Sequence, residues 1–413
     1  MTNVLNADLL EATRLTKAGK LTEALHLILG TSRAASGAAP ATTGRTPRTI
    51  EGVAEPAGTA RAQSVPQPGP AVPGASSLPF NRAAKLGSAP PGLLDRMTQG
   101  GLHMSGGRRG GPASLAGRVS VPDGAQFLTA SFCNDAGSRP YKLYVPSGYR
   151  PGVAVPLIVM LHGCTQTPDD FAAGTRMNEA AEEHTCLVVY PGQTAAANMQ
   201  KCWNWFSEGD QHRGQGEPAL IAGITHQVMR DFAVDPRRVY VAGLSAGGAA
   251  AAIMGDAYPD VFAAIGVHSG LACGAARDIP SAFAAMQGSG PAAAGRPGGG
   301  RPSVPAIVFH GDRDGTVNPR NADAVVAQSA QAAALTTHAE QVRAAGGRTY
   351  SRTLSIDLAG QTVIEQWVVH GAGHAWFGGS AAGTYTDPRG PDATREMVRF
   401  FLEHPHPEPM QTV

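Results

Sequence analysis

The run Val239-Tyr240-Val241-Ala242-Gly243-Leu244-Ser245-Ala246-Gly247-Gly248-Ala249-Ala250-Ala251-Ala252 constrains the fold of this chain more than any other stretch. A short β-branched strand runs into Gly-x-Ser-x-Gly and then into small residues that suit a helix, which is the strand, sharp turn and helix layout of a nucleophile elbow. Gly243 and Gly247 relieve crowding where the two backbones approach. The pentapeptide alone fits a passive serine in a glycine-rich turn equally well. Its flanking strand and helix argue instead for an exposed, pointed Ser245.

The surrounding sequence repeats this grammar. Short apolar runs at Lys142 to Val145, Pro156 to Leu161, Cys186 to Tyr190, Val239 to Ala242, Ala264 to Val267, Ala306 to Phe309 and Val363 to Val369 read as strands. Leu220, Ile221, Ile224, Val228 and Phe232 recur at helical spacing before an expected turn at Val234-Asp235-Pro236. A last helix is expected over Asp392 to Glu403, capped by its aspartate. Such alternation predicts an α/β fold: a mostly parallel sheet with helices on both faces, spanning residues 119–406.

The first 118 residues read differently. Residues 1–30 carry Leu5, Leu9, Ala12 and Leu15, a break at Ala18-Gly19-Lys20, then Leu21, Leu25, Ile28 and Leu29, the pattern of a helical hairpin suited to docking or oligomerisation. Residues 31–118 are rich in Ala, Gly, Pro and Arg and cannot bury enough apolar surface to offset chain entropy, so they are expected to form a flexible linker. A glycine-rich stretch at 286–303 reads as a surface insertion.

Composition removes several functional classes. A formal net charge of +1 gives no reason to expect nucleic acid as a partner. No apolar run approaches the ~18 residues that span a bilayer, so the sequence reads as soluble, and no basic tip followed by an apolar core marks a secretory signal, which points to the cytoplasm and leaves an extracellular location open. Five widely spaced cysteines match neither paired zinc-ligand spacing nor a dense disulfide framework. Neither a metal nor an organic cofactor is expected.

A serine hydroxyl attacks only when a base takes its proton, so Ser245 needs partners. In this layout an acid follows a later strand and a histidine comes nearer the C-terminus. The strand Ala306 to Phe309 leads into His310-Gly311-Asp312-Arg313-Asp314-Gly315-Thr316-Val317, and the strand Val363 to Val369 leads into His370-Gly371-Ala372-Gly373-His374. An oxyanion hole needs preorganised N–H donors. The amide of Ala246, next after the serine, and that of Cys164, in the loop Leu161-His162-Gly163-Cys164-Thr165-Gln166, are the candidates.

With these pieces assembled, the chain resembles the polyhydroxybutyrate depolymerase family of esterases, α/β-hydrolases related to feruloyl and acetylxylan esterases. The resemblance covers about residues 125–400 through LHGCTQ, VVYPGQ, CWNWF, GLSAGGAA, YPDVFAAIGVHSG, HGDRDGTVNPRN and GAGHAW. It implies Ser245 as nucleophile, Asp314 as acid with Asp312 the competitor, and His374 as base. It further implies a Cys164–Cys202 disulfide and offers Trp203 and Trp205 as walls of an ester-binding cleft, although core packing fits either tryptophan as well. His162, His268, His310 and His370 are expected to serve as structural hydrogen-bonding groups. The function implied is a serine esterase acting on poly- or oligo(3-hydroxybutyrate)-type polyesters. A feruloyl or acetylxylan esterase, or a granule-associated interaction protein with an inactive hydrolase domain, are the alternatives.

Overall fold

Short β-branched runs cannot stand alone, and in the computed structural model they pair into one sheet. The structure describes residues 119–289, 304–330 and 334–407. The expected hairpin at 1–30, the expected linker at 31–118 and residues 290–303 of the expected insertion lie outside these residues.

In chain order the elements begin with β1 (Gln126–Asn134), β2 (Gly137–Val145), β3 (Val155–Leu161), α1 (Pro168–Thr175), α2 (Met177–His184) and β4 (Leu187–Pro191). The middle comprises α3 (Gly216–Asp231), β5 (Val234–Leu244), α4 (Ala246–Ala257), β6 (Ala264–His268), α5 (Ile279–Met286), β7 (Ala306–Gly311) and α6 (Arg320–Ser329). The remainder is β8 (Thr336–Arg343), β9 (Thr349–Ile356), β10 (Thr362–Val369), β11 (Trp376–Phe377), β12 (Thr386–Asp387) and α7 (Ala393–Glu403).

Ten strands form the main sheet in the order β1-β2-β4-β3-β5-β6-β7-β10-β9-β8. The stretch from β4 to β10 is parallel, and antiparallel strands flank it on both sides. The expected mostly parallel sheet is therefore its centre. The pleat sends alternate side chains to opposite faces: Val155, Leu157, Val159 and Leu161 of β3 join one apolar cluster, while Ile158 and Met160 join the other. On the first face lie Ile221, Ile224 and Val228 of α3 and the alanines of α4; on the second lie Phe171 of α1, Met177 of α2 and Met397, Phe400 and Phe401 of α7. Each aliphatic side chain fully buried in this way contributes about 1.5–3 kcal/mol.

The turn expected at Val234-Asp235-Pro236 is instead the start of β5. Pairing with β3 jumps from Val155↔Val234 to Leu157↔Val239, so the chain bulges there and the proline, which has no N–H to donate, falls in the bulge. The last helix begins as its sequence suggests, with the Asp392 side chain accepting the Arg395 N–H at 3.0 Å.

Candidate active site

Parallel strands present their carboxyl ends at one edge, and open α/β sheets bind ligands there. The loops after β3, β5, β7 and β10 carry the sequence-selected residues to this edge.

Ser245 joins β5 to α4 with φ 58° and ψ −119°. Such a conformation costs a non-glycine residue about 1–3 kcal/mol and persists only where surrounding contacts enforce it. The Ser245 N–H donates to the His268 carbonyl at 2.9 Å. A Cβ at Gly247 would strike the Leu161 and His162 carbonyls, and one at Gly243 would strike the Gly247 carbonyl. Glycine at these two positions lets the elbow seat directly on the end of β3. A Cβ built on Gly163 would sit 3.6 Å from the Ser245 Cβ, so the HGC loop lies against the serine.

The loops after β7 and β10 are fastened together. Arg313 N–H donates to the Ala372 carbonyl at 3.0 Å, and Asp312 N–H to the Val369 carbonyl at 3.1 Å. A Cβ at Gly311 would overlap the Ala372 backbone, so a glycine is needed for this approach. Within this joint two histidine–carboxylate pairs form. His374 Nδ1 meets Asp314 Oδ2 at 2.6 Å, and His370 Nδ1 meets Asp312 Oδ2 at 3.0 Å.

Asp314 is the buried acid. Its Oδ1 accepts the N–H groups of Thr316 (2.8 Å) and Val317 (2.9 Å), and the His310 Nε2 lies 3.4 Å from its Oδ2. Burial alone would raise its carboxyl, but the bonds from His310, His374 and the Val317 amide hold it well below the ordinary carboxylate range. It is therefore an anion at any working pH. Asp312, by contrast, accepts the Gly371 N–H at 2.7 Å and orients His370, whose Nε2 bonds the Ser351 hydroxyl at 2.9 Å. The competitor carboxylate thus braces the loop that carries His374.

His162 and His268, also singled out in the sequence, are buried and engaged in packing. His162 Nδ1 bonds the Gly163 carbonyl (2.8 Å) while its Nε2 accepts the Gln193 N–H (3.0 Å), and burial pushes its imidazole down to about 4. His268 stacks on Phe309 and Trp376, and its Nε2 accepts the Phe377 N–H at 3.1 Å. Burial, then the nearby His310 and His374, hold it well below the normal imidazole value. His268 thereby ties the two halves together, since its carbonyl holds Ser245 and its ring feels the charge of His374.

A second loop, following β4, supports the HGC loop from behind. Cys164 and Cys202 are joined by a disulfide, Thr165 N–H donates to the Gln200 carbonyl (2.6 Å), and the Trp203 indole N–H donates to the His162 carbonyl (3.1 Å). Glu217, buried at the start of α3, accepts the Asn204 N–H (2.7 Å) and the Gln193 side-chain amide. Burial, with Asp210 nearby, raises its carboxyl. Neither the Cys164 nor the Ala246 amide N–H is engaged by another described group. Ala246 also opens a helix of twelve residues, whose positive end favours a developing anion.

The tryptophans require a correction. Trp203 is 0 % exposed and Trp205 is also buried, so both rings pack in the core instead of walling a cleft. Trp203 is drawn inward because burial removes its indole from water and His162 supplies the acceptor its N–H then needs. Sequence reasoning also passed over Gln166, Asp170 and Tyr385. Gln166 Oε1 accepts the Gly163 N–H at 2.9 Å while its Nε2 donates to Asp170 Oδ2 at 2.9 Å. Gln166 does end the quoted LHGCTQ motif, but only the fold brings Thr384 and Tyr385 beside it. No group of three or more metal-binding side chains converges among the described residues.

A family model described as Esterase PHB depolymerase matches residues 139–352. The chain belongs to this family. The poly(3-hydroxyalkanoate) depolymerase C of Paucimonas lemoignei is 34 % identical over 268 residues, 63 % of this chain and 62 % of that protein. The poly(3-hydroxybutyrate) depolymerase of Ralstonia pickettii is 30 % identical over 243 residues, 54 % of this chain and 48 % of that protein. The chain thus spans less than two thirds of the length of either relative. Among solved structures, an acetyl xylan esterase from Aspergillus awamori is similar with a TM-score of 0.52 at 19 % identity, covering 68 % of this chain and 99 % of the other. That likeness supports the α/β-hydrolase architecture.

Proposed function

We propose that this chain is a serine esterase that hydrolyses carboxylic ester bonds through an acyl-enzyme, with poly- or oligo(3-hydroxybutyrate)-type polyesters as its substrates. The observation that carries this reading is the buried Asp314 anion at 2.6 Å from His374 Nδ1, at the same sheet edge as a serine in elbow geometry. With Nδ1 donating to Asp314, the Nε2 of His374 has the lone pair that removes the Ser245 proton. The serine oxygen attacks the ester carbonyl, and the amides of Cys164 and Ala246 stabilise the oxyanion. The imidazolium then protonates the leaving alcohol. Water, deprotonated by the same imidazole, releases the acid and restores the serine.

The polyester assignment draws on the family description and on the printed names of the two bacterial relatives. Its test is a substrate panel on wild type and Ser245→Ala: p-nitrophenyl butyrate, 3-hydroxybutyrate oligomers, and feruloyl and acetylated xylan esters. Turnover of the oligomers in wild type, lost in Ser245→Ala with the fold intact, is the expected outcome. Turnover confined to the sugar esters would replace the polyester with the alternative substrate class. Failure of a covalent serine probe to label the native protein would leave an interaction protein.

A further inference from the structure

At the edge where the strands end, two bulky residues stand in left-handed backbone conformations and touch through their hydroxyls. Thr165, in the HGC loop, has φ 67°; Tyr385, at the threshold of β12, has φ 52°. Neither residue type adopts this region without cost, and strain of this kind collects where side chains must be presented. The Thr165 Oγ1 and Tyr385 Oη lie 3.3 Å apart.

Both residues are held by the catalytic framework. The Thr165 N–H donates to Gln200, and the Tyr385 carbonyl accepts the Trp376 N–H at 2.7 Å, two residues past His374. Thr384, directly before the tyrosine, donates its N–H to Asp170 Oδ1 (3.0 Å) and its hydroxyl to Asp170 Oδ2 (2.6 Å). Gln166 Nε2 donates to the Thr384 carbonyl (3.2 Å), while its Oε1 fixes Gly163. One network therefore sets both the oxyanion loop and the tyrosine. Yet the Tyr385 side chain packs outward, with the residue 46 % exposed.

The hydrogen inventory of the pair indicates what it would bind. Two hydroxyls carry two hydrogens, and their mutual bond uses one. No other described group bonds either oxygen, so the couple offers one outward O–H donor. Beside this donor lies the exposed apolar face of the Tyr385 ring itself. Thr165 also follows Cys164 directly, so one residue of the pair is the chain neighbour of the residue whose amide is assigned to the scissile oxygen.

We propose that Thr165 and Tyr385 form a subsite for the ester carbonyl one repeat away from the scissile bond of an aliphatic polyester, with the Tyr385 ring covering the intervening hydrocarbon. A chain in which carbonyl acceptors alternate with short apolar segments matches a hydroxyl donor beside an exposed aromatic ring. A pyranose, with hydroxyls around its ring, would call for several donors where this pair offers one. This subsite rests on the esterase reading above and deepens it.

The test compares wild type, Tyr385→Phe and Tyr385→Ala on p-nitrophenyl butyrate and on a 3-hydroxybutyrate trimer, and measures trimer binding by calorimetry in a Ser245→Ala background. Tyr385→Ala should raise the KM for the trimer roughly ten-fold, the value of one hydrogen bond with its packing, and weaken trimer binding in parallel, with a clearly smaller loss on the monoester. Tyr385→Phe, which keeps the ring and the fold, should fall between. Equal losses on monoester and trimer overturn the subsite. So does trimer binding that is absent from Ser245→Ala or is undiminished by Tyr385→Ala. A selective loss on acetylated xylo-oligosaccharide instead would mean a sugar subsite and equally overturn it. The binding arm stands without turnover, so an inactive wild type would defeat the esterase reading alone.

Discussion

Two aspartate–histidine pairs stand side by side at the site, and they are built from nearly the same sequence: Asp312 and Asp314 in one loop, His370 and His374 in the next. Their side chains meet at similar distances, 3.0 Å for Asp312–His370 and 2.6 Å for Asp314–His374. What separates them is solvent. The Asp314 side chain is 0 % exposed and accepts two backbone N–H groups, whereas that of Asp312 is 38 % exposed. In addition, the outer nitrogen of His370 is occupied by Ser351, while that of His374 meets no described group. A buried, fully hydrogen-bonded carboxylate can orient an imidazole and stabilise its charge; an exposed one screened by water does so weakly and acts as a brace.

Exchange of the inner carboxylate is the harshest way to break this comparison. Asp314→Asn should lower kcat by about 10⁴-fold, because the amide imposes the wrong imidazole tautomer. Circular dichroism of the variant should remain native. An Asp312→Asn loss of the same size would erase the distinction between the pairs.

Acid pH probes the buried groups through stability, and is expected to have the next largest effect. His162 and His268 are kept neutral when folded, so an unfolded chain binds protons that the native one refuses as pH falls below 6.5. Stability should therefore decline from pH 6.5 downward, with His162 alone costing about 3 kcal/mol by the time its folded value near 4 is passed. Asp314 adds to this at lower pH. Its depressed carboxyl contributes stability that is complete above the ordinary value of 3.8 and is lost as pH falls below it. Denaturant unfolding of wild type and Asp314→Asn between pH 7 and 3 measures both. A variant curve as steep as wild type below pH 4 would remove Asp314 from the account.

The outer pair should give the smallest response. Asp312→Ala leaves the Gly371 N–H and His370 without their acceptor, which should cost about 1–2 kcal/mol. Because the brace steadies the His374 loop, kcat should fall less than about ten-fold. Chemical denaturation beside steady-state kinetics separates these two quantities.

The distinction between the pairs also marks how far the sequence could be read. Both aspartates were visible as candidates because the HGDRDGTV segment is local, and the elbow was visible because Gly243, Ser245 and Gly247 stand together directly after a strand, although the contacts that require Gly247 come from Leu161 and His162. The central strands were legible because burial on both faces demands continuous apolar runs. The strands β1, β8 and β9 were missed because they flank the sheet: β8 reads TTHAEQVR and is exposed almost throughout, so no apolar pattern betrays it. The tryptophans misled for a related reason. Aromatic bulk near a catalytic motif looks the same whether the ring faces a cleft or, as with Trp203, supports the loop from beneath. Tyr385 could not be read at all, since its meaning comes from Thr165, 220 residues earlier in the chain.

The claim at the centre is that the Asp314–His374 pair activates Ser245. Mass spectrometry of the protein quenched during turnover of p-nitrophenyl butyrate tests it directly. The expected result is a butyryl adduct on the peptide containing Ser245 in wild type and in Asp312→Asn, and none in Asp314→Asn quenched at the same early time. An unmodified Ser245 peptide in wild type under active turnover, or an adduct on another residue, would contradict it.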